Sequence, residues 1–189
     1  REIEKTYEKV MINVVTINNF HASPKQLDVS RPVAAAGLVG LNTSCVLETD
    51  SGLYWYGVDR KRYVFPNAET FSTWFPGGTM RVRATDEQLR QIPIGGNVTY
   101  RPGVRLLHLR NVPHPIYVIA HGGVLRPISR DMAAKIFGSR WEELIDSVYD
   151  GYFVNYKLGD PVRDSSDYDP EKEKVDSSNI DKDRDLISQ

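Results

Sequence analysis

Short runs of aromatic and β-branched residues alternate along the chain with turns rich in glycine, proline and asparagine. Residues 9–17 read KVMINVVTI, which predicts a strand. Residues 53–65, 98–109 and 116–128 each predict a β-hairpin, because apolar arms flank a polar or glycine-containing turn. The chain therefore shows the period of strands more often than that of long helices.

Helix-start signals follow the first and third of these hairpins. Asn67 is placed to cap a short helix that runs to residue 75, and Ser129 one that runs to residue 137. The patterns that begin at Thr85 and at Ser139 are capping boxes, in which a hydroxyl and a Gln or Glu three residues later satisfy free amides. Each hairpin is thus expected to lead into short helices.

The same order of parts occurs twice, and one constant shift along the sequence relates the two copies. This repeat shift carries Phe65 onto Ile128, where each hairpin ends, and Trp74 onto Phe137, near each helix end. No gap is needed between the first hairpin and the last turn of each copy. Self-similarity at a fixed period indicates tandem repeats.

These patterns together predict an α+β fold. We expect a domain over residues 48–163, with two tandem repeats of a β-hairpin plus short helices at about 52–98 and 115–161. We expect residues 1–47 to be a strand-rich N-terminal segment, or the end of a preceding module.

The last part of the sequence differs in composition. Residues 164–189 contain nine acidic and four basic residues, a net charge of -5, and few large apolar residues. Such a composition favours an acidic, disordered linker or tail. Asp181, Asp183 and Asp185 have the D-x-D-x-D spacing of calcium-binding loops, but Leu186 stands where such loops need glycine. Calcium is therefore a weak candidate, and no other cofactor is expected.

Overall composition narrows the possible partners. The net charge of the whole chain is -1, which does not favour nucleic acid. No run of about 18 apolar residues is present, so we expect no membrane span. The single Cys45 excludes an internal disulfide. Because the chain begins with Arg1 and lacks a signal peptide, we expect it to be a piece of a longer or processed protein.

Catalytic motifs are missing from the sequence. It contains no nucleophile elbow, Walker loop or zinc-protease helix motif, and no two histidines have metal-ligand spacing on a helix. We therefore expect a protein that is not an enzyme, and an enzyme of unknown class is the alternative that we favour least.

One hairpin combines aromatic and basic residues. Tyr54, Trp55 and Tyr56 lie beside Arg60 and Arg62. Strand alternation cannot bury three consecutive aromatic residues on one face, so at least one ring points away from the other two. These five residues are the candidate ligand-binding set, for a sugar or a peptide. The alternative is a solvated turn with inward-packed rings.

Several motifs of the region from residue 52 to residue 162 resemble an uncharacterised repeat module of large bacterial surface proteins. The matching stretches are YVFPNAETFSTWF, IPIGGNVTYRPG and PIYVIAHGGVLRPI. The resemblance implies an extracellular or cell-envelope location. We expect a structural or adhesive module whose partners are neighbouring repeats or other surface-protein subunits. The alternative is a carbohydrate- or peptidoglycan-binding module, for which cell-wall glycan is the partner.

Overall fold

The computed structural model describes residues 41–110 and 115–187, and the predicted strand at residues 9–17 lies outside them. The first of two five-stranded sheets has the order β4-β1-β2-β3-β5. Its strands β1 to β5 span Cys45–Thr49, Gly52–Tyr56, Arg62–Val64, Arg81–Arg83 and Ile94–Asn97. β1, β2 and β3 form an antiparallel meander, while β4 runs parallel to β1 and β5 parallel to β3.

The second sheet has the order β10-β8-β7-β6-β9. Its strands β6 to β10 span Leu106–Leu109, Ile116–Ala120, Val124–Ile128, Ile145–Val148 and Lys157–Leu158. β6, β7 and β8 form the antiparallel meander, β9 runs parallel to β6, and β10 runs parallel to β8. The two sheets therefore have the same topology.

The pairing register confirms the tandem repeat. Tyr54 pairs with Val64 in the first sheet, and Tyr117 pairs with Pro127 in the second. The repeat shift carries both members of the first pair onto both members of the second. The predicted α+β class with two hairpin-containing repeats is confirmed. β1 crosses the boundary expected between residues 47 and 48, so the first sheet begins at Cys45.

Short helices connect the strands, and most begin at a side-chain cap. Helices α1 to α5 span Ala68–Trp74, Asp86–Arg90, Arg130–Phe137, Pro170–Asp176 and Ile180–Asp183, and 3-10 helices span Trp141–Leu144 and Asp150–Asn155. Asn67 and Ser129 cap α1 and α3 as predicted, and Thr85 forms the predicted capping box with Gln88. None of the described helices is long and apolar enough to cross a membrane.

Three hydrophobic clusters form the interior of the part of the chain that the structure describes. One lies in the first repeat, around Trp55 and Phe71. The second sheet carries a cluster on each face, one with Leu107 and one with Leu106. Neighbouring strand residues point to opposite faces, which explains this division. The second sheet is therefore covered on both sides.

Two local predictions are wrong. Residues 98–109 do not form a hairpin: β6 pairs with β7 and β9, and residues 98–100 form an irregular connection between the repeats. Val98 contributes to the cluster of the first repeat and Tyr100 to one of the second, so burial at both ends overrides local hairpin formation. Ser139 makes no capping box, because the chain enters a 3-10 helix after Arg140 without a side-chain cap.

The expectation of a disordered tail is also wrong for residues 164–187, hereafter the acidic segment. It contains α4 and α5, and Tyr168 and Ile180 are 3% and 1% exposed. The Tyr168 hydroxyl donates to the carbonyl of Ile119 at 2.8 Å and accepts from the amide of Gly103 at 3.1 Å. Composition alone predicts disorder here. It cannot show that a few apolar side chains and buried carboxylates of the segment contact both repeats.

We expect Gly103→Ala to displace the acidic segment. Gly103 has a φ of 75°, and a Cβ there would lie 2.2 Å from the carbonyl oxygen of Pro170. Gly78 is the matched control, since its φ is 78° and a Cβ would meet nothing within 4 Å. In urea unfolding, Gly103→Ala should lower the free energy of unfolding by about 2 kcal/mol more than Gly78→Ala. Equal losses would show that the segment is not closely packed against this turn.

Candidate functional site

Asp181 holds the turn of the first hairpin. The residue is 1% exposed, and its carboxylate accepts three hydrogen bonds. Oδ1 accepts from the Trp55 indole N–H at 2.9 Å and from the Val58 amide at 3.2 Å, and Oδ2 accepts from the Ser44 hydroxyl at 2.6 Å. Both carboxylate oxygens are thus used by the first repeat.

The corresponding turn of the second repeat is held by two other carboxylates of the acidic segment. Asp183, 2% exposed, accepts from the Gly122 amide at 3.1 Å and from the Ser177 hydroxyl at 2.9 Å. Glu173 accepts from the His121 amide at 2.8 Å. One short segment therefore bonds to both hairpins.

These contacts follow the symmetry of the repeat. The repeat shift carries Val58 onto His121, and the amide of each donates to a carboxylate of the acidic segment. A turn amide that has no strand partner needs an acceptor when it is removed from water. We call Glu173, Asp181 and Asp183 the carboxylate clasp.

The local sequence explains how the clasp is presented. Asp169 caps α4, which has proline at its first position, and Asn179 caps α5. Within α5, residues two positions apart point about 200° away from each other. Asp181 and Asp183 therefore face different hairpins, while Ile180 packs in the core of the first repeat.

Burial dominates the electrostatics of the second hairpin. It raises the pKa of both Asp183 and Glu173, and the hydrogen bonds that they accept only partly offset this effect. The His121 ring lies beside the same segment: Nδ1 is 3.1 Å from the Ser177 hydroxyl, and Nε2 is 2.9 Å from Asp185. The turn of the second hairpin thus lies among hydrogen-bond acceptors of the acidic segment, and it contributes one imidazole ring to this group.

Arg184 adds a cation to the first repeat. Its guanidinium lies 4.1 Å from the centre of the Tyr63 ring and donates to the Asn97 carbonyl at 2.9 Å. The Tyr63 hydroxyl in turn donates to Asp59 at 2.7 Å. Burial and this hydrogen bond raise the pKa of Tyr63 to about 12, so the phenol stays protonated.

The structure does not bring Asp181, Asp183 and Asp185 together as a metal site. The first two are turned to separate hairpins, and the side chain of Asp185 is 74% exposed beside His121. Within residues 41–110 and 115–187, no group of three His, Cys, Asp or Glu is placed to hold a metal ion. Hydrogen-bond donors of the protein already occupy both carboxylate oxygens of Asp181 and the Oδ1 atom of Asp183.

The predicted ligand-binding residues are divided by the structure. Trp55 and Tyr56 are 5% and 6% exposed, so the prediction that they contact a ligand is corrected: strand β2 buries one ring on each face. Arg60 lies exposed at the hairpin turn with a φ of 60°. Tyr54 and Arg62 lie together in a groove on the first sheet, with the guanidinium 6.0 Å from the ring centre.

Sequence reasoning did not find most partners of the clasp. Ser44, Gly122 and Glu173 carry no motif, and the contacts of Asp181 span 123 to 137 residues of sequence. The sequence did contain one signal. Asp181 and Asp183 stand two positions apart, directly after the helix cap Asn179. Without the fold, that spacing favours calcium as much as a clasp.

Comparison with protein-family models, with curated proteins and with solved structures gives no match for this chain.

We expect Asp181→Ala to destabilise the protein by about 3 kcal/mol, because it leaves the Trp55 indole N–H and the Val58 amide buried without an acceptor. Asp185→Asn is the control. It removes an exposed carboxylate from the same segment and keeps a side chain that tolerates the φ of 54°, so its effect should stay within about 1 kcal/mol. Chemical denaturation measures both. Similar losses in the two variants would contradict the role assigned to Asp181.

The raised pKa values of Asp183 and Glu173 predict a pH dependence. The folded chain binds protons at these groups more readily than the unfolded chain does, so their contribution to stability is complete below the unfolded pKa and is lost as the pH rises through the folded pKa. The free energy of unfolding should therefore increase from about pH 7 to about pH 5. Asp183→Asn keeps an acceptor for Gly122 and should reduce this increase. An unchanged increase in the variant would exclude Asp183 as its source.

Proposed function

We propose that this chain is a non-catalytic structural module of a bacterial cell-surface or secreted protein, in which two repeats are joined into one mechanical unit. The observation that carries the proposal is the carboxylate clasp. Its three members bond to equivalent turns of both repeats from a single segment. A linker that merely followed the domain would have no need to bury charged groups.

The contacts of Ser44 indicate where such a unit would bear load. Ser44 precedes strand β1, and its hydroxyl donates to Asp181 near the end of the acidic segment. The two ends of the repeat domain therefore lie next to each other. Tension applied along the chain would act first on the clasp, and only then on the two sheets.

The raised pKa values of the buried carboxyl groups are consistent with a role without catalysis. A raised pKa in a cleft is a common property of catalytic acids. Here Glu173 and Asp183 accept hydrogen bonds from the turn amides of His121 and Gly122. Their burial is explained by these structural contacts, so no reaction needs to be assumed.

The resemblance to repeat modules of large bacterial surface proteins supports the proposed location and the proposed partners, namely neighbouring repeats and other surface-protein subunits. A free-standing hairpin is marginally stable in water, so units of this kind gain from being joined. In the described chain the joining element is the acidic segment, which contributes Tyr168 to the second repeat and Ile180 to the first.

Force spectroscopy tests the mechanical part of the proposal. With handles at residues 42 and 187, the wild-type chain should unfold in one event. Full extension of the chain between the handles corresponds to about 500 Å, at roughly 3.3–3.6 Å per residue. Asp181→Ala should unfold in two events, each with a smaller increase in extension. The reason is that the two repeats then come apart before the second repeat unfolds. Two events already in the wild-type chain would contradict the proposal.

The location is tested separately. Antibodies raised against the purified chain should label intact cells of the bacterium that encodes it, or its culture medium. Labelling only after the cells are permeabilised would overturn the surface assignment while leaving the mechanical result untouched.

A further inference from the structure

A groove of about 320 Å³ lies on the first sheet, away from the carboxylate clasp. It is lined by Ser51, Tyr54, Arg62, Val64, Asp86, Leu89, Arg90 and Ile94. Helix α2 forms one wall and strands β2, β3 and β5 form the floor. This volume is at the lower end of the range for small-molecule sites.

The second repeat has a packed core where the first has this groove. The repeat shift carries Arg62 onto Leu125 and Arg90 onto Phe153. Leu125 and Phe153 are 1% and 2% exposed, and they pack with Tyr117, whose ring centre is 5.2 Å from that of Phe153. Arg62 of the first repeat thus stands where the second has an apolar core residue, while Arg90 lies exposed at the rim of the groove.

Replacing an apolar core residue by arginine lowers the stability of the folded protein. Such a replacement is expected where the charge serves a function. Arg62 is half-buried, and it donates through Nη1 to the Leu89 carbonyl at 2.7 Å. Its Nε–H is buried without a hydrogen-bond partner, and among the described residues Arg62 makes no ion pair. A half-buried guanidinium without an ion pair has lost part of its hydration, and an anionic acceptor in the groove would offset that loss. Departures from local packing rules are expected at functional sites.

The opposite side of the groove is arranged to accept hydrogen bonds. The Ser51 hydroxyl donates to Asp86 at 2.8 Å, so the Tyr54 hydroxyl, 3.1 Å from Ser51, is the donor of that second bond. The bond from Ser51 also holds the pKa of Asp86 below its usual range. Ile94, 66% exposed, adds an apolar surface at the edge.

We propose that this groove binds an acidic sugar, with the ligand carboxylate on Arg62 and Arg90 and ring hydroxyls on Asp86. Two guanidinium groups and one carboxylate give the lining a net charge of +1, which favours an anion over a neutral sugar. The carboxylate of Asp86 suits hydroxyl donors, which chloride and sulfate lack. The half-exposed Tyr54 ring and Ile94 match the apolar face of a sugar ring.

The test titrates oligogalacturonate into the intact chain and follows heat or backbone NMR shifts. The matched probe is a neutral galactose oligomer of the same length. Arg62→Leu installs the residue that the second repeat has at the equivalent position, so it should fold normally. It should weaken oligogalacturonate binding at least about tenfold, since it removes a charge-assisted hydrogen bond.

Arg60→Asn is the control for net charge. Arg60 is exposed at the hairpin turn, outside the groove, and asparagine tolerates its φ of 60°. It should bind like the wild type. The double variant Arg62→Leu/Arg90→Gln removes both cations of the groove and keeps a polar side chain at the exposed position 90, so it should abolish binding.

Three results would overturn the proposal: no saturable binding by the wild type at millimolar oligogalacturonate, equal affinity for the neutral oligomer, or the same loss in Arg60→Asn as in Arg62→Leu. The inference is independent of the mechanical proposal. Binding is measured at zero force on the intact chain, so either can fail while the other stands.

Discussion

The fold depends on the satisfaction of a few buried turn amides by carboxylates that are distant in sequence. Each hairpin turn leaves N–H groups without strand partners, and each repeat is too small to bury them unaided. Asp181 serves the first repeat, while Asp183 and Glu173 serve the second. Burying these charges is unfavourable by itself, so each is stable only while it finds its own donors. This requirement makes the acidic segment a part of the domain.

The two repeats share a topology but have diverged in what they bury. The second sheet is covered on both faces, with Leu107 in one cluster and Leu106 in the other. In the first sheet, the apolar cluster around Trp55 lies on one face, and the groove that contains Arg62 lies on the other, beside the buried Leu89. Duplication explains this outcome physically: once one copy and the clasp supply enough stability, the other copy can carry a site that costs stability. The proposed structural role and the proposed acidic-sugar site thereby lie in different parts of one domain.

The sequence predicted the parts of the fold that local signals determine. Caps at Asn67, Thr85 and Ser129, the two equivalent hairpins and the constant repeat shift are all confirmed. The failures have one cause, which is that long-range partners decided the outcome. Residues 98–109 looked like a hairpin, but burial of Val98 and Tyr100 in different clusters prevents it. The acidic segment looked disordered because its stability comes from turns that are distant in sequence. Tyr54 and Arg62 were identified from the sequence, whereas Arg90 carries no motif and is identified only from the lining of the groove.

Amide hydrogen exchange tests most directly whether one segment holds both repeats. The exchange rates of Val58 and Gly122 would be compared between the wild-type chain and Asp181→Ala. Asp181 accepts only from the first repeat, whereas the Gly122 amide donates to Asp183. If the clasp acts as a unit, its release from the first repeat should speed exchange at both amides. Faster exchange at Val58 with no change at Gly122 would show that the two turns are held independently, and the account of a single clasp would be wrong.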